Sequence, residues 1–412
     1  MEICKTPEDV PASATFVDFC EEQVSFVFTS DGSSWVVPHG HPDFLHSVSF
    51  SDFLDALPST FWVWDKKRLL HEGRVPGHRM KDARLSHFIE THQLLEDPSF
   101  DVWSDMPMPV VPASRLFERA LSRFSSIPNF EPPAGFDFYN GRVLETLQRI
   151  ESEPLCVDLP AFRSAFGENQ KPPERSSFNM FTKTGRPSNT HRGVNLAALT
   201  PKQARSFVSG FGKEGRIVSF DYDAFHLRML AWFVGYEKAP FESSFHRHLG
   251  QLYLGKEELT DEEYETCKKL TFQVLYQPQG IPKELLELEF FRKVKEKKEA
   301  LWQTYENTGQ VHTPIAGRLL LDRSWGWDMA QSKMLSYFLQ SAGVECVLSA
   351  AQLCFEELEG HKSRLVHYLY DSLVFDVHKD EFKEVLPRLR SLIEFNGRLW
   401  TKVKQGKTFA DV

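Results

Sequence analysis

The 412-residue sequence predicts a mixed fold, α/β over residues 1–100 and α+β from residue 139 to the C terminus, joined by a proline-rich connection. Three observations carry that expectation. Short apolar runs bounded by turn residues alternate with helical spacing in residues 1–100. Residues 215–234 pass from a β-branched apolar run into apolar residues at helical spacing. In residues 364–378, two alternating apolar runs flank Asp371-Ser372 as the arms of a hairpin would.

Taken in order, residues 14–18, 23–29 and 34–38 read as strands, and 51–57 and 83–95 as helices. Asp18 falls at a strand end, Asp65 closes an aromatic run, and Asp82 precedes the second helix. Residues 101–138 hold Pro107, Pro109, Pro112, Pro128, Pro132 and Pro133 around one helical run, 114–125, and read as a linker.

Further on, residues 217–220 have the apolar, β-branched character of a buried strand, and Asp221 sits where strand gives way to helix. A carboxylate held at the rim of a sheet suits a hard cation; an aspartate there can equally cap a helix. Asp371 raises the same alternative, because Asx residues favour turns, but its flanks are more apolar than a surface hairpin requires. Two acids on adjacent strands can share a pair of divalent ions. Between them, Lys268, Phe272 and Tyr276 recur every four residues on one helix face. A cation followed by two aromatics can meet a phosphate, a sugar and a base, although two core aromatics beneath a solvated lysine give the same pattern.

Composition bounds the function. Hydrophobic residues make up 41% and aromatics 13%, which describes a soluble globular chain with room for two or three domains. No apolar run reaches the length of a membrane span and residues 1–9 lack the features of a signal peptide, so a cytoplasmic protein that binds no membrane is expected. Cys4, Cys20, Cys156, Cys267, Cys346 and Cys354 show no metal-finger spacing and are expected to be reduced thiols. The net charge of −9 argues against a nonspecific nucleic-acid coat but allows basic groups confined to one cleft. Candidate basic runs are 171–192, with Lys171, Arg175, Lys183, Arg186 and Arg192, and 291–298, which also reads as a solvated helix face.

The ordered set of motifs resembles family A (DNA polymerase I-like) DNA polymerases over residues 139–412. Asp221-Tyr222 resembles that family's motif A, Lys268-x3-Phe272-x3-Tyr276 its motif B, and Tyr370-Asp371-Ser372 its His-Asp-Glu motif C. Thr184-Gly185-Arg186, Asn195-Leu196, Phe245-His246-Arg247, Gly317-Arg318 and Gln340 match at the expected places. The resemblance implies a palm and fingers, with two Mg²⁺ ions held by Asp221, Asp371 and the backbone carbonyl of Tyr222. Lys268 and His246 are then expected to neutralise a deoxynucleoside triphosphate, with Arg247 or Lys269 in support. Phe272 and Tyr276 would pack on its sugar and base. His226 would crowd a ribose 2′-hydroxyl against Tyr276, and Arg186, Gln340 and Asn195 would meet the primer-template DNA.

Residues 1–100 resemble, mainly in order, the RNase H-like 3′-5′ exonuclease domain that precedes such polymerases. Phe19-Cys20 follows Asp18 where that domain has Asp-x-Glu, and Leu69 replaces a further aspartate. The site is therefore expected to be degenerate, with Glu21 and Asp65 the candidates to substitute. Other departures are Tyr264 for an arginine, Gln277 for a glycine, and residues 167–180 alone where a long helical thumb belongs. The reading is a DNA-templated DNA polymerase of a phage or mobile element, with a processivity factor, helicase or primase as partner. A single-subunit RNA polymerase and a non-catalytic replication subunit are the alternatives.

Overall fold

Residues 14–20 and 24–29 are β-branched or aromatic at most positions, and the strands they form are buried on both faces. The computed structural model describes residues 1–20, 23–97, 111–189, 194–276 and 281–412. They fall into two units, Met1–Glu145 and Thr146–Val412, each taken by itself below.

The first unit holds β1 (Glu2–Ile3), β2 (Ala14–Cys20), β3 (Val24–Thr29), β4 (Ser34–Pro38), β5 (Phe61–Val63) and β6 (Met80–Asp82) in one sheet of order β1-β4-β3-β2-β5-β6. β2, β3 and β4 form an antiparallel meander, and β5 and β6 add in parallel through α1 (Phe50–Ala56) and α2 (Lys66–Glu72). Helix α2 escaped the sequence reading. Asp65 caps it by accepting from Arg68 N at 3.0 Å, and Gly73, with φ of 70°, ends it. Helix α3 (Ala83–Thr91) stops at His92, whose φ is 56°, rather than running to residue 95.

The expected linker is corrected in part. Its residues 101–110, with Pro107 and Pro109, lie outside the described residues. Its helix, α4 (Ala113–Ser126), is a layer of the first unit: Leu116 and Ala120 are buried and Phe124 stacks on Phe28 at 4.7 Å. The prolines bound this helix, and its apolar face packs on β2 and β3.

In the second unit the strands β7 (Gly215–Tyr222), β8 (Arg364–Leu369), β9 (Ser372–His378) and β10 (Thr401–Gly406) form an antiparallel sheet of order β8-β9-β7-β10. Its longer helices are α5 (Phe225–Phe233), α6 (Phe245–Leu254), α7 (Asp261–Tyr276), α8 (Glu289–Thr308), α9 (Gln331–Glu357) and α10 (Phe382–Ile393). Helix α9, expected over residues 329–353, has 27 residues and contains a stretch long and apolar enough to pass for a membrane span, contrary to the composition reading. It is instead the central helix of this unit: 78% of its apolar window is buried, with α5, α7, α8 and α10 packed around it. Between the helix Leu159–Phe166 and the strand Phe178–Asn179 no helix forms, so nothing there builds a long thumb.

Candidate active site

Ile217, Val218 and Phe220 bury β7, and its register against β9 sets Asp221 opposite Ser372, next to Asp371 at the hairpin turn. The turn residues are Tyr370-Asp371, and Tyr370 has φ of 58°, a left-handed backbone that a tyrosine adopts against a steric cost. The carbonyl of Asp371 accepts from Tyr222 N at 3.1 Å, tying that turn to the end of β7. Tyr222 is itself fixed, its hydroxyl donating to Ile393 O at 2.6 Å and its ring stacked 4.6 Å from Phe225.

Burial, and after it the carboxylate of Asp371, push the Asp221 carboxyl up to about 6; burial raises Asp371 as well. Acids that resist ionising beside each other favour a hard cation between them. Among the described residues no cluster of three or more metal-ligating side chains occurs, and Ser372 turns its hydroxyl to Ser219 at 2.7 Å. Two carboxylates and a nearby backbone carbonyl suit Mg²⁺, which keeps most of its coordination for water and substrate oxygens.

These acids line a cleft of about 280 Å³ together with Arg186, His226, His246, Tyr264, Lys268, Phe272, Gln340 and Lys402. Phe272 is 43% exposed, which sets it apart from a core aromatic and leaves its face open for stacking. The His246 ring lies 5.2 Å from that of Phe272, and Phe272 and Tyr276 are stacked at 6.4 Å. His226 Nδ1 is 2.7 Å from the Tyr276 hydroxyl. Burial, with Arg186 adding to it, holds His226 down to about 4, so the imidazole is neutral near pH 7.

Two expectations for cations change here. Burial holds His246 down to about 4, so it stands in the cleft as a neutral ring. Arg247 donates to Leu259 O at 3.1 Å with its guanidinium 5.0 Å over the Tyr264 ring, and Lys269 is exposed outside the cleft. Gln277, Arg192 and Glu21 lie outside the described residues.

Gly185, with φ of 70°, lets residues 182–186 turn back, and the Arg186 guanidinium lies 3.8 Å over the Tyr370 ring. Thr184 Oγ1 donates to Gln340 Oε1 at 3.4 Å, and Ser341 Oγ to Thr184 O at 2.7 Å, pinning this loop to α9. Asn195 is not brought into the cleft; it is exposed and its Oδ1 accepts from Ala197 N at 3.0 Å. Leu196 and Ala197 line a second cleft that shares Asp221, Tyr370 and Asp371 with the first.

Four charged residues at or beside this site, Lys402, Lys404, Asp223 and Arg228, were missed by the sequence reading. Lys402 and Lys404 alternate along β10, with Lys402 opposite Asp221 and Lys404 opposite Ser219. Lys402 Nζ is 2.5 Å from Asp223 Oδ1, and Asp223 Oδ2 also accepts from Arg228 at 3.2 Å. The alternation Thr401-Lys-Val-Lys was a legible strand signal.

In the first unit the carboxylates are already committed. Asp18 is 2% exposed, and both its oxygens lie 3.1 Å from Arg123 Nη1. Arg123 also binds Asp97 at 2.6 Å, and Asp65 pairs with Arg84 at 3.1 Å. Asp82 accepts from Lys66 N and Leu85 N, both at 2.8 Å, while burial pushes its carboxyl up to about 7. Leu69, where the resemblance called for an aspartate, is in the apolar core.

No family model matches the chain. It is 27% identical over 226 residues to a DNA polymerase of Bacillus phage SP01, a match that takes in 46% of this chain and 24% of that protein. The chain thus spans about a quarter of the length of that curated relative. In structure it is similar to the POL domain of Pol1 from M. smegmatis, solved in complex with DNA primer-template and dNTP. The TM-score is 0.71 at 12% sequence identity, over 98% of this chain and 97% of that one. The fold is therefore that of a DNA polymerase POL domain.

Proposed function

We propose that this chain is a DNA-templated DNA polymerase that extends a primer 3′-hydroxyl and releases pyrophosphate, acting in replication of a phage or mobile element. The observation that carries the reading is the Asp221–Asp371 pair at a cleft whose wall presents Lys268 and the open face of Phe272. Asp221, Asp371 and the Tyr222 carbonyl would hold two Mg²⁺ ions, which when bound favour the alkoxide nucleophile and the departing pyrophosphate. Lys268 supplies charge to the triphosphate, and His246 offers it a hydrogen bond. Phe272 packs on the nucleotide, and the hydrogen-bonded pair of His226 and Tyr276 closes the sugar side of the pocket. Arg186 and Gln340 face the primer terminus from the loop and from α9.

The His226–Tyr276 pair argues against an RNA polymerase, which must leave room for a 2′-hydroxyl. The first unit is read as nuclease-silent, since Asp18, Asp65 and Asp82 already have protein partners. Without a long thumb the chain depends on a partner such as a processivity factor, helicase or primase to stay on DNA. The test is primer extension on a defined template with deoxy- and ribonucleotides offered separately. Extension with deoxynucleotides should need Mg²⁺ and fall by about 10³-fold or more in Asp221→Asn and in Asp371→Asn. Undiminished extension by either variant would refute the assignment.

A further inference from the structure

Resting on that reading, we infer that Lys402 of strand β10 is a nucleotide-binding residue that holds the triphosphate, taking the place of the cation that Tyr264 cannot provide. A triphosphate carries more negative charge than one lysine can answer, and His246 stands neutral. Lys268 and Lys402 are the two lysines that line the cleft. They reach it from opposite supports, Lys268 from α7 and Lys402 from the edge strand next to Asp221. A charge-assisted contact from each side fixes the phosphate tail as well as neutralising it.

The geometry at Asp223 lets Lys402 move without leaving a bare buried charge. Asp223 is 3% exposed and has three sources of compensation: Lys402, Arg228 at 3.2 Å and the Phe245 amide at 3.2 Å. Arg228 is buried and anchored by the carbonyls of Asp223, Pro240 and Ser243, so it stays when Lys402 leaves. The Lys402 side chain is 47% exposed, on an edge strand open to the cleft. Asp223 therefore holds the ammonium at the cleft wall, where an incoming triphosphate takes it over.

The experiment is steady-state extension by the full chain with Lys402→Met, Lys402→Arg and wild type, together with inhibition by inorganic pyrophosphate, a probe with no base or sugar. Lys402→Met should raise the KM for deoxynucleotide on the order of tenfold or more and weaken pyrophosphate inhibition by a similar factor, with kcat changed far less. Lys402→Arg should restore most of both. A purely structural lysine would lower kcat and the thermal midpoint while leaving pyrophosphate inhibition unmoved, and that result overturns the inference. So does an unchanged KM in Lys402→Met. If wild type itself extends no primer, the polymerase reading fails and the role of Lys402 falls with it.

Discussion

Replacing Arg123 by Met tests whether the first unit is a damaged nuclease or one rebuilt around an ion pair. Arg123 reaches Asp18 across 105 residues of chain, with Nη1 3.1 Å from both carboxylate oxygens, and its side chain is 5% exposed against 2% for Asp18. Asp97, its other partner, is 51% exposed and would simply return to water. The cost of Arg123→Met therefore concentrates on Asp18, left buried without its partner. Breaking one side of such a pair typically costs about 3–5 kcal/mol. For a unit of roughly 150 residues that is a fall of about 10 °C in Tm. The double variant Asp18→Asn/Arg123→Met removes the stranded charge and should recover most of the loss. Thermal unfolding of the three proteins, with and without Mg²⁺, measures this. A fall in Arg123→Met of under about 1 kcal/mol would refute the reasoning. So would a Mg²⁺-specific rescue of that variant, which would show Asp18 to be a metal ligand released by the change.

Four further outcomes are expected. Wild-type protein should leave a single-stranded 3′ end intact with Mg²⁺ present; digestion that persists in Asp221→Asn and is lost in Asp18→Ala would locate a working nuclease in the first unit. His226→Ala should raise ribonucleotide incorporation by about 10- to 100-fold in a mixed-nucleotide extension assay, because the crowding imidazole beside Tyr276 is removed. Stability should fall as pH drops from about 6.5 to 4. His226 and His246, both held down to about 4, stay neutral in the folded chain while their unfolded counterparts take up protons. Each contributes up to about 3 kcal/mol to that acid loss, none of it above about pH 7, and His226→Gln/His246→Gln should flatten the acid limb of a urea titration. With excess competitor DNA added together with nucleotides, the isolated chain should make only a few additions per encounter, since no long thumb adds phosphate contacts and the net charge is −9. Long products under that trap would overturn the argument.

Local chemistry in the sequence was enough to place β7, the β8–β9 hairpin, α7 and α9, because the strands are apolar runs bounded by turn residues and the two helices are long. It also singled out Asp221, Asp371, Lys268, Phe272, His226, His246, Arg186 and Gln340, all of which line one cleft. Short elements were less legible. Strands β5 and β6 have three residues each, too few to show a period, and α2 depends on a cap and a glycine stop. Helix α4 was taken for linker since its prolines are local signals and its packing partners are not.

What only the tertiary structure decided is charge state and partnership. His246 looks like a cation in one dimension; burial against Phe272 makes it neutral. Asp18 looks like a surviving metal ligand until Arg123, 105 residues away, is seen across it. Lys402 gains its meaning from strand register alone, which sets it opposite Asp221, and from Asp223, which holds it there. Desolvation and Coulomb energy depend on neighbours in space. Sequence spacing fixes such neighbours within a helix turn or along a strand, whereas across a sheet they follow from which strands pair and in which register.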